Sequence, residues 1–283
     1  MQLDLIKENS KCVLKQKAFS KINLGLWIKE KRSDGYHEIE TIFLENENLY
    51  DEIEIEFYED KKLSISALFL QDELNKVILA DKNLAYRAAL LFFEKSGIKG
   101  RCTIRINKNI PIEAGLGGAS SNAACVLKGL NRIFDYMFHE NELLLLAGQI
   151  GSDVPFFIIG KTCLGRGRGE ILEKLENKLK LDIKIIKPEN ISVSTKWAYE
   201  LIDSREFMTE HKNEINNLII AMKQNNYDLF FKNIFNDFEM VIFSNFPKLI
   251  KERKKLLDEG FKAVSLCGSG SALFGICAKE LKI

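Results

Sequence analysis

Between Pro111 and Ala124 the chain reads PIEAGLGGASSNAA, with glycines at 115, 117 and 118 and serines at 120 and 121. Glycines let a backbone approach a ligand closely, and a helix starting just after them offers unpaired N–H groups and about half a positive charge. A polyphosphate suits that combination, cradled by Pro111, Ile112, Glu113, Ala114, Gly115, Leu116, Gly117, Gly118, Ala119, Ser120 and Ser121. The serine hydroxyls add donors to phosphate oxygens or ligands for a metal ion. A tight turn capped by serine is the plainer alternative. A Walker loop is excluded because no Gly-Lys-Ser/Thr closes the segment, and GLGGAS departs from the dinucleotide fingerprint. A second glycine run, Gly165 to Gly169, has no well-capped helix after it and reads as a turn.

Other constellations could carry chemistry beside the loop. In AFSKINLGL, Ala18 to Leu26, Lys21 and Asn23 fall on one face of a strand. They could face a ligand, although a solvated strand face is the reading favoured from these residues alone. SDGYHEIET puts Asp34 and Gly35 in a turn from which Tyr36 and His37 emerge, a pair able to stack on and hydrogen-bond a nucleobase or simply to pack a hairpin. In GSDVPFFIIG, Gly151 to Gly160, Asp153 precedes an apolar run, where a carboxylate either acts as base to a hydroxyl or caps the turn. LCGSGSALFGI sets Gly268, Ser269 and Gly270 between two β-like runs and needs no function as a hairpin turn.

These residues must be positioned by mixed elements. VLKQKAFSKINLGLWI, HEIETIFL and EIEIEFY are rich in β-branched and aromatic residues and partly alternate, which predicts three early antiparallel strands. Asn83 caps a predicted helix through LAYRAALLFFEKS that stops at Gly97, and RCTIRIN follows as a strand. Ser120 or Ser121 is expected to open the helix SNAACVLKGLNRIF, ENELLLLAGQI to form another ending before Gly151, and VPFFII to form a buried strand. Beyond GRGRGE, a plausible domain junction, come a strand (LDIKIIK), several helices and two terminal strands, KAVSLC and ALFGIC. The class is α+β.

Composition bounds the rest. With 283 residues the natural expectation is two fused domains. A hydrophobic fraction of 46% and a net charge of +1, from 41 Lys+Arg against 40 Asp+Glu, describe a globular chain with no general attraction to nucleic acid or anionic membrane. Any phosphate site must therefore be local. No apolar run approaches the ~20 residues that span a bilayer, so a cytoplasmic protein is expected. The six cysteines form no CxxC pair and read as buried free thiols.

In content and order these segments resemble the GHMP kinase family, over roughly Lys17 to Gly275. SKINLGL, RSDGYH, GLGGASSNAA, GSDVPFF and GSGS are similar to the branch that phosphorylates a cytidine diphosphate-linked alcohol, and Asn236 to Glu239 (NDFE) also looks like a family element. The resemblance implies ATP and Mg²⁺ as cofactors, a ribosomal protein S5 domain 2-like N-terminal domain over 1–165 and a ferredoxin-like C-terminal domain over 166–283. It also implies that Asp153 takes the hydroxyl proton and that Lys21 is its charge partner. Asn23, Tyr36, His37, Thr195 and Tyr199 match positions that hold the cytidine end, with Tyr36 and Tyr199 expected to sandwich the base. Asn122 stands where the family usually has aspartate, so the metal ligands stay open, with Ser121 a candidate; Lys108 is a candidate for adenine. The alternatives are a mevalonate-type or sugar kinase of the same family and a non-catalytic nucleotide-binding regulator, which would lack both Asp153 and Lys21. The oligomeric state is not legible.

Overall fold

The computed structural model describes residues 4–8, 11–71, 74, 80–204 and 212–279. The chain forms two compact units, neither continuous in sequence: the first is Met1–Ser20, Glu47–Ile110 and Gly117–Gly160, the second Lys21–Asn46, Pro111–Leu116 and Lys161–Ile283. Two long strands, β2 (Lys11–Lys31, 21 residues) and β3 (His37–Glu59, 23 residues), pass from one to the other. The two strands expected at HEIETIFL and EIEIEFY are thus one. The polar run between them imitates a loop, yet β3 continues unbroken through its exposed Glu47 and Asn48.

In the first unit β1 (Asp4–Glu8) pairs antiparallel with β2, and β4 (Ser64–Phe69) runs parallel to β5 (Gly100–Asn107), which is antiparallel to β3. Alternation decides the faces: Asp51, Ile53, Ile55 and Phe57 of β3 are buried, while the glutamates between them are not. Helix α1 (Leu84–Ser96) starts where the Asn83 side chain accepts from the Ala85 N–H, and stops at Gly97 (φ 69°), whose N–H donates to Phe93. Its Phe92 and Phe93 are buried, Phe93 stacks on Phe57 at 5.8 Å, and each such ring contributes about 2–3 kcal/mol of apolar burial. Helix α2 (Gly118–Ile133) begins at Gly117 (φ 70°) rather than at a serine, because the loop's left-handed glycine turns the backbone directly into the helix.

Helix α3 (Glu140–Ile150) ends at Gly151, as the sequence predicts. VPFFII is helix α4 (Val154–Ile159), not a strand. A six-residue run buried almost all round has no period to read, and Pro155 in the first turn needs no N–H there, which suits a helix start.

In the second unit β6 (Thr162–Arg166) pairs with β3 and with β7 (Ile171–Lys174), and the Gly/Arg run is the turn between β6 and β7. A separate antiparallel sheet has the order β10 (Ala263–Leu266), β11 (Leu273–Ala278), β8 (Leu181–Ile186). Helices α5 (Thr195–Asp203), α6 (Lys212–Gln224), α7 (Tyr227–Lys232), α8 (Phe238–Asn245) and α9 (Pro247–Asp258) complete the unit, with a short β9 (Phe235–Asn236) parallel to β2. Its core joins Leu26, Ile39, Ala198, Phe238, Ile242, Leu249, Leu266 and Leu273. None of the six cysteines is in a disulfide, and burial pushes the Cys102, Cys125 and Cys267 thiols up to about 12. Among the described residues no helix is long and apolar enough to cross a membrane.

Candidate active site

The glycine-rich loop is shared by the units, Pro111–Leu116 in the second and Gly117 onward in the first. In the second unit Glu113 (φ 53°) and Gly115 (φ 74°) are left-handed, and a Cβ at Gly115 would lie 1.7 Å from the Cys267 carbonyl oxygen. No side chain fits there. The Ser192 hydroxyl donates to Glu113 at 2.6 Å, Lys187 Nζ donates to the Ile112 carbonyl, and the Leu116 carbonyl accepts from the Lys21 N–H at 3.0 Å. Ala114 and Leu116 are buried, whereas Ile112, Glu113 and Ala119 are exposed.

In the first unit the first intrahelical bond of α2 is Ser121 N–H to Gly117 at 2.8 Å, leaving the N–H groups of Gly118, Ala119 and Ser120 ahead of it. Ser121 itself is buried. A Cβ at Gly118 would come within 3.0 Å of Lys108 Nζ, so that ammonium lies at the helix start. Asp51 holds it there: its carboxylate accepts from Lys108 Nζ at 2.5 Å and from the N–H groups of Asn109 and Ile110 at 2.8 Å each. Asp153, also in this unit, is half-buried at the start of α4, and its side chain makes no capping bond to that helix.

The reading of Lys21 and Asn23 as a solvated face is corrected: they are 4% and 1% exposed. Lys21 Nζ donates to Asn23 Oδ1 at 2.8 Å, Asn23 Nδ2 donates to Thr41 Oγ1 at 2.7 Å, and the Thr41 hydroxyl donates to the Gly25 carbonyl at 2.7 Å. The ammonium also lies 5.4 Å from the Phe43 ring centre, and a Cβ at Gly268 would be 3.5 Å from Nζ. The C-terminal glycine turn is therefore beside Lys21. Asn236 clamps that turn by donating to the Leu266 and Gly268 carbonyls at 3.0 and 2.8 Å. Glu239, the last residue of the NDFE segment, accepts from the Leu266 N–H at 3.1 Å and faces Arg253 at 3.3 Å. Burial pushes the Glu239 carboxyl above its usual range, against the donors from Ser265, Arg253 and Leu266.

The turn Arg32 to Tyr36 is closed by Arg32 N–H to the Tyr36 carbonyl at 2.7 Å and by Tyr36 N–H to Asp34 at 3.1 Å. Tyr36 is 58% exposed with the Arg168 guanidinium 5.0 Å from its ring centre. Tyr199 stacks on His37, centroids 4.9 Å apart and planes within 9°. His37 Nε2 bonds Asp203 at 2.7 Å, and Asp203, which Lys31 and His37 hold below the usual carboxylate range, ends α5. The Thr195 and Ser269 hydroxyls are 3.0 Å apart. His37, Tyr199, Thr195 and the glycine turn thus lie in the same unit as Lys21 and Asn23.

Sequence reasoning singled out neither Thr41, Asp51 nor Asp203. Asp51 had a usable signal, since alternation with Ile53, Ile55 and Phe57 puts it on the apolar face of β3. The partners of Thr41 and Asp203 lie on other elements, and no local pattern announces them.

A family described as "GHMP kinases N terminal domain" matches residues 83–161, and one described as "GHMP kinases C terminal" matches 218–282. The protein named 4-diphosphocytidyl-2-C-methyl-D-erythritol kinase from Caldicellulosiruptor saccharolyticus is 38% identical over 264 residues, 93% of this chain and 88% of that relative. Its namesake from Bacillus licheniformis is 36% identical, covering 95% of this chain and 89% of its own length. The crystal structure of a 4-(cytidine 5'-diphospho)-2C-methyl-D-erythritol kinase superposes with a TM-score of 0.75 at 31% identity, over 92% of this chain and 89% of that one. A homoserine kinase from Cytophaga hutchinsonii, TM-score 0.74 at 19% identity over 99% and 89% of the two chains, shares the fold. With both terminal domains matched and full-length relatives above a third identical, the chain belongs to the GHMP kinases, in the 4-diphosphocytidyl-2-C-methyl-D-erythritol kinase family.

Proposed function

We propose that Asp153 and Lys21 carry the phosphoryl transfer of this kinase. The chain phosphorylates the 2-hydroxyl of 4-diphosphocytidyl-2-C-methyl-D-erythritol from ATP, a step of isoprenoid precursor synthesis. The bond from the γ-phosphorus to the ADP oxygen breaks, a bond to the acceptor oxygen forms, and the acceptor proton passes to Asp153. The observation that carries the residue roles is Lys21, a buried ammonium, 4% exposed, that the Asn23 amide holds in place at 2.8 Å. It offsets the negative charge on the reacting oxygens. Half-buried Asp153, not engaged in capping α4, suits a base.

The N–H groups of Gly118, Ala119 and Ser120 at the start of α2 receive phosphate oxygens. Mg²⁺ accompanying ATP supplies charge neutralisation on the phosphates. Ser121 is the candidate protein oxygen that would hold the ion when it is bound. Asn23, Tyr36, His37, Thr195 and Tyr199 take the cytidine end; the stacking of His37 on Tyr199 supports a flat base entering beside them. The assignment of 1–165 to nucleotide binding and 166–283 to the C-terminal domain, and a cytoplasmic location without nucleic-acid or membrane partners, belong to the same reading.

The test is ADP release with the cytidyl acceptor, mevalonate, homoserine and galactose in parallel, on wild type and Asp153→Asn. The expected result is turnover with the cytidyl acceptor alone and a loss of about 10²- to 10⁴-fold in the variant. Near-wild-type turnover of Asp153→Asn refutes the base assignment.

A further inference from the structure

We infer that Thr41 is a positioning residue for Lys21, acting through the orientation of the Asn23 amide; this rests on the reading of Lys21 given above. The three hydrogen bonds form a chain with two fixed ends. At one end the Gly25 carbonyl can only accept, so the single Thr41 hydroxyl proton is committed to it at 2.7 Å. Thr41 Oγ1 can then only accept, and the Asn23 atom beside it at 2.7 Å must be the amide nitrogen. That turns Oδ1 toward Lys21, whose ammonium can only donate and does so at 2.8 Å. One amide orientation satisfies both ends, so the network itself sets the assignment.

Thr41 is held so that it can dictate this. It is fully buried in β3 opposite Gly165 of β6, and a Cβ at Gly165 would sit 3.2 Å from its methyl carbon. The methyl is packed on one side and the hydroxyl bonded on the other, which pins the rotamer. Asn23 at 1% and Lys21 at 4% exposure leave little room for water to substitute for a lost partner. Remove the hydroxyl and the amide loses its orienting contact; turned over, it points N–H groups at an ammonium. The charge then shifts away from the reacting oxygens, although every group that touches substrate is still present.

The test compares Thr41→Val, which keeps the shape, with Thr41→Ser, which keeps the hydroxyl, alongside Lys21→Ala, Asn23→Ala and the Asn23→Ala/Thr41→Val double variant. Thr41→Val is expected to lower kcat about 10- to 100-fold with KM for ATP little changed, the scale of a misplaced catalytic group. Thr41→Ser should restore most of that loss, and the double variant should be no slower than Asn23→Ala alone. Equal losses in the Val and Ser variants, or full turnover in Val while Lys21→Ala is inactive, overturn the role of Thr41 and leave that of Lys21 standing. Full turnover in Lys21→Ala removes the reading of Lys21 itself. If circular dichroism shows Thr41→Val unfolded, Thr41→Ala takes its place against Thr41→Ser with the same outcomes.

Discussion

Lys21 and Lys108 are both largely buried lysines next to the glycine-rich loop, one beside its Leu116 end in the second unit and one at Gly118 in the first. Their anchors differ. Lys108 is bonded to the fully buried carboxylate of Asp51, while Lys21 donates to the neutral amide of Asn23. A carboxylate at 2.5 Å offsets much of the Lys108 charge, whereas the Asn23 amide fixes the Lys21 ammonium through a neutral acceptor. Two lysines beside one loop therefore do different work. Asp51 uses Lys108 and two backbone N–H groups to fasten the strand end that feeds the loop, while the relay through Asn23 fixes where the Lys21 ammonium sits.

The sharpest way to break this contrast is Lys21→Ala, expected to lower kcat about 10³-fold, or about 4 kcal/mol, with the melting temperature nearly unchanged. Asp51→Asn should do the opposite: stability falls by about 3 kcal/mol in urea unfolding because the buried Lys108 charge loses its counter-ion, while the folded fraction still turns over. Matching profiles for these two variants would erase the distinction. Gly115→Ala probes the loop from the Lys21 side. Its Cβ meets the Cys267 carbonyl, and a loss of about 2 kcal/mol with weaker ATP binding is expected by thermal shift and titration.

Tyr199→Ala should raise the acceptor KM about tenfold and leave that for ATP alone, the scale of one lost aromatic stack; equal rises in both would detach Tyr199 from the cytidine end. The smallest effect lies at Glu239. Its carboxyl is raised in the folded state, so the folded chain binds the proton more tightly, and stability falls as pH rises from the ordinary carboxylate range through the folded value. In melts across that window Glu239→Gln should lose this slope, and an unchanged slope would assign it to another group.

Legibility followed the range of the interactions. Helix α1 could be read because its signals, Asn83 and Gly97, lie at its own ends, and β5 because alternation is a local property. Helix α4 was misread since an apolar run buried on every side has no period. Lys21 and Asn23 were rightly placed side by side on a strand, but their burial depends on Thr41, Phe43 and Gly268, far along the chain. The motif content named the family; the acceptor each ammonium donates to, which separates Lys21 from Lys108, emerged only in three dimensions.

The contact of Gly115 with Cys267 also bears on how the protein comes into being. The seat for one half of the loop is a carbonyl about 150 residues further along the chain, so closing it is a long-range step with a large loop entropy. A nascent chain can bury Phe57, Phe92 and Phe93 long before residue 267 has been made, and such a chain has a core without a finished nucleotide seat. The Gly115 side of the loop is thereby seated only once the C-terminal glycine turn is present.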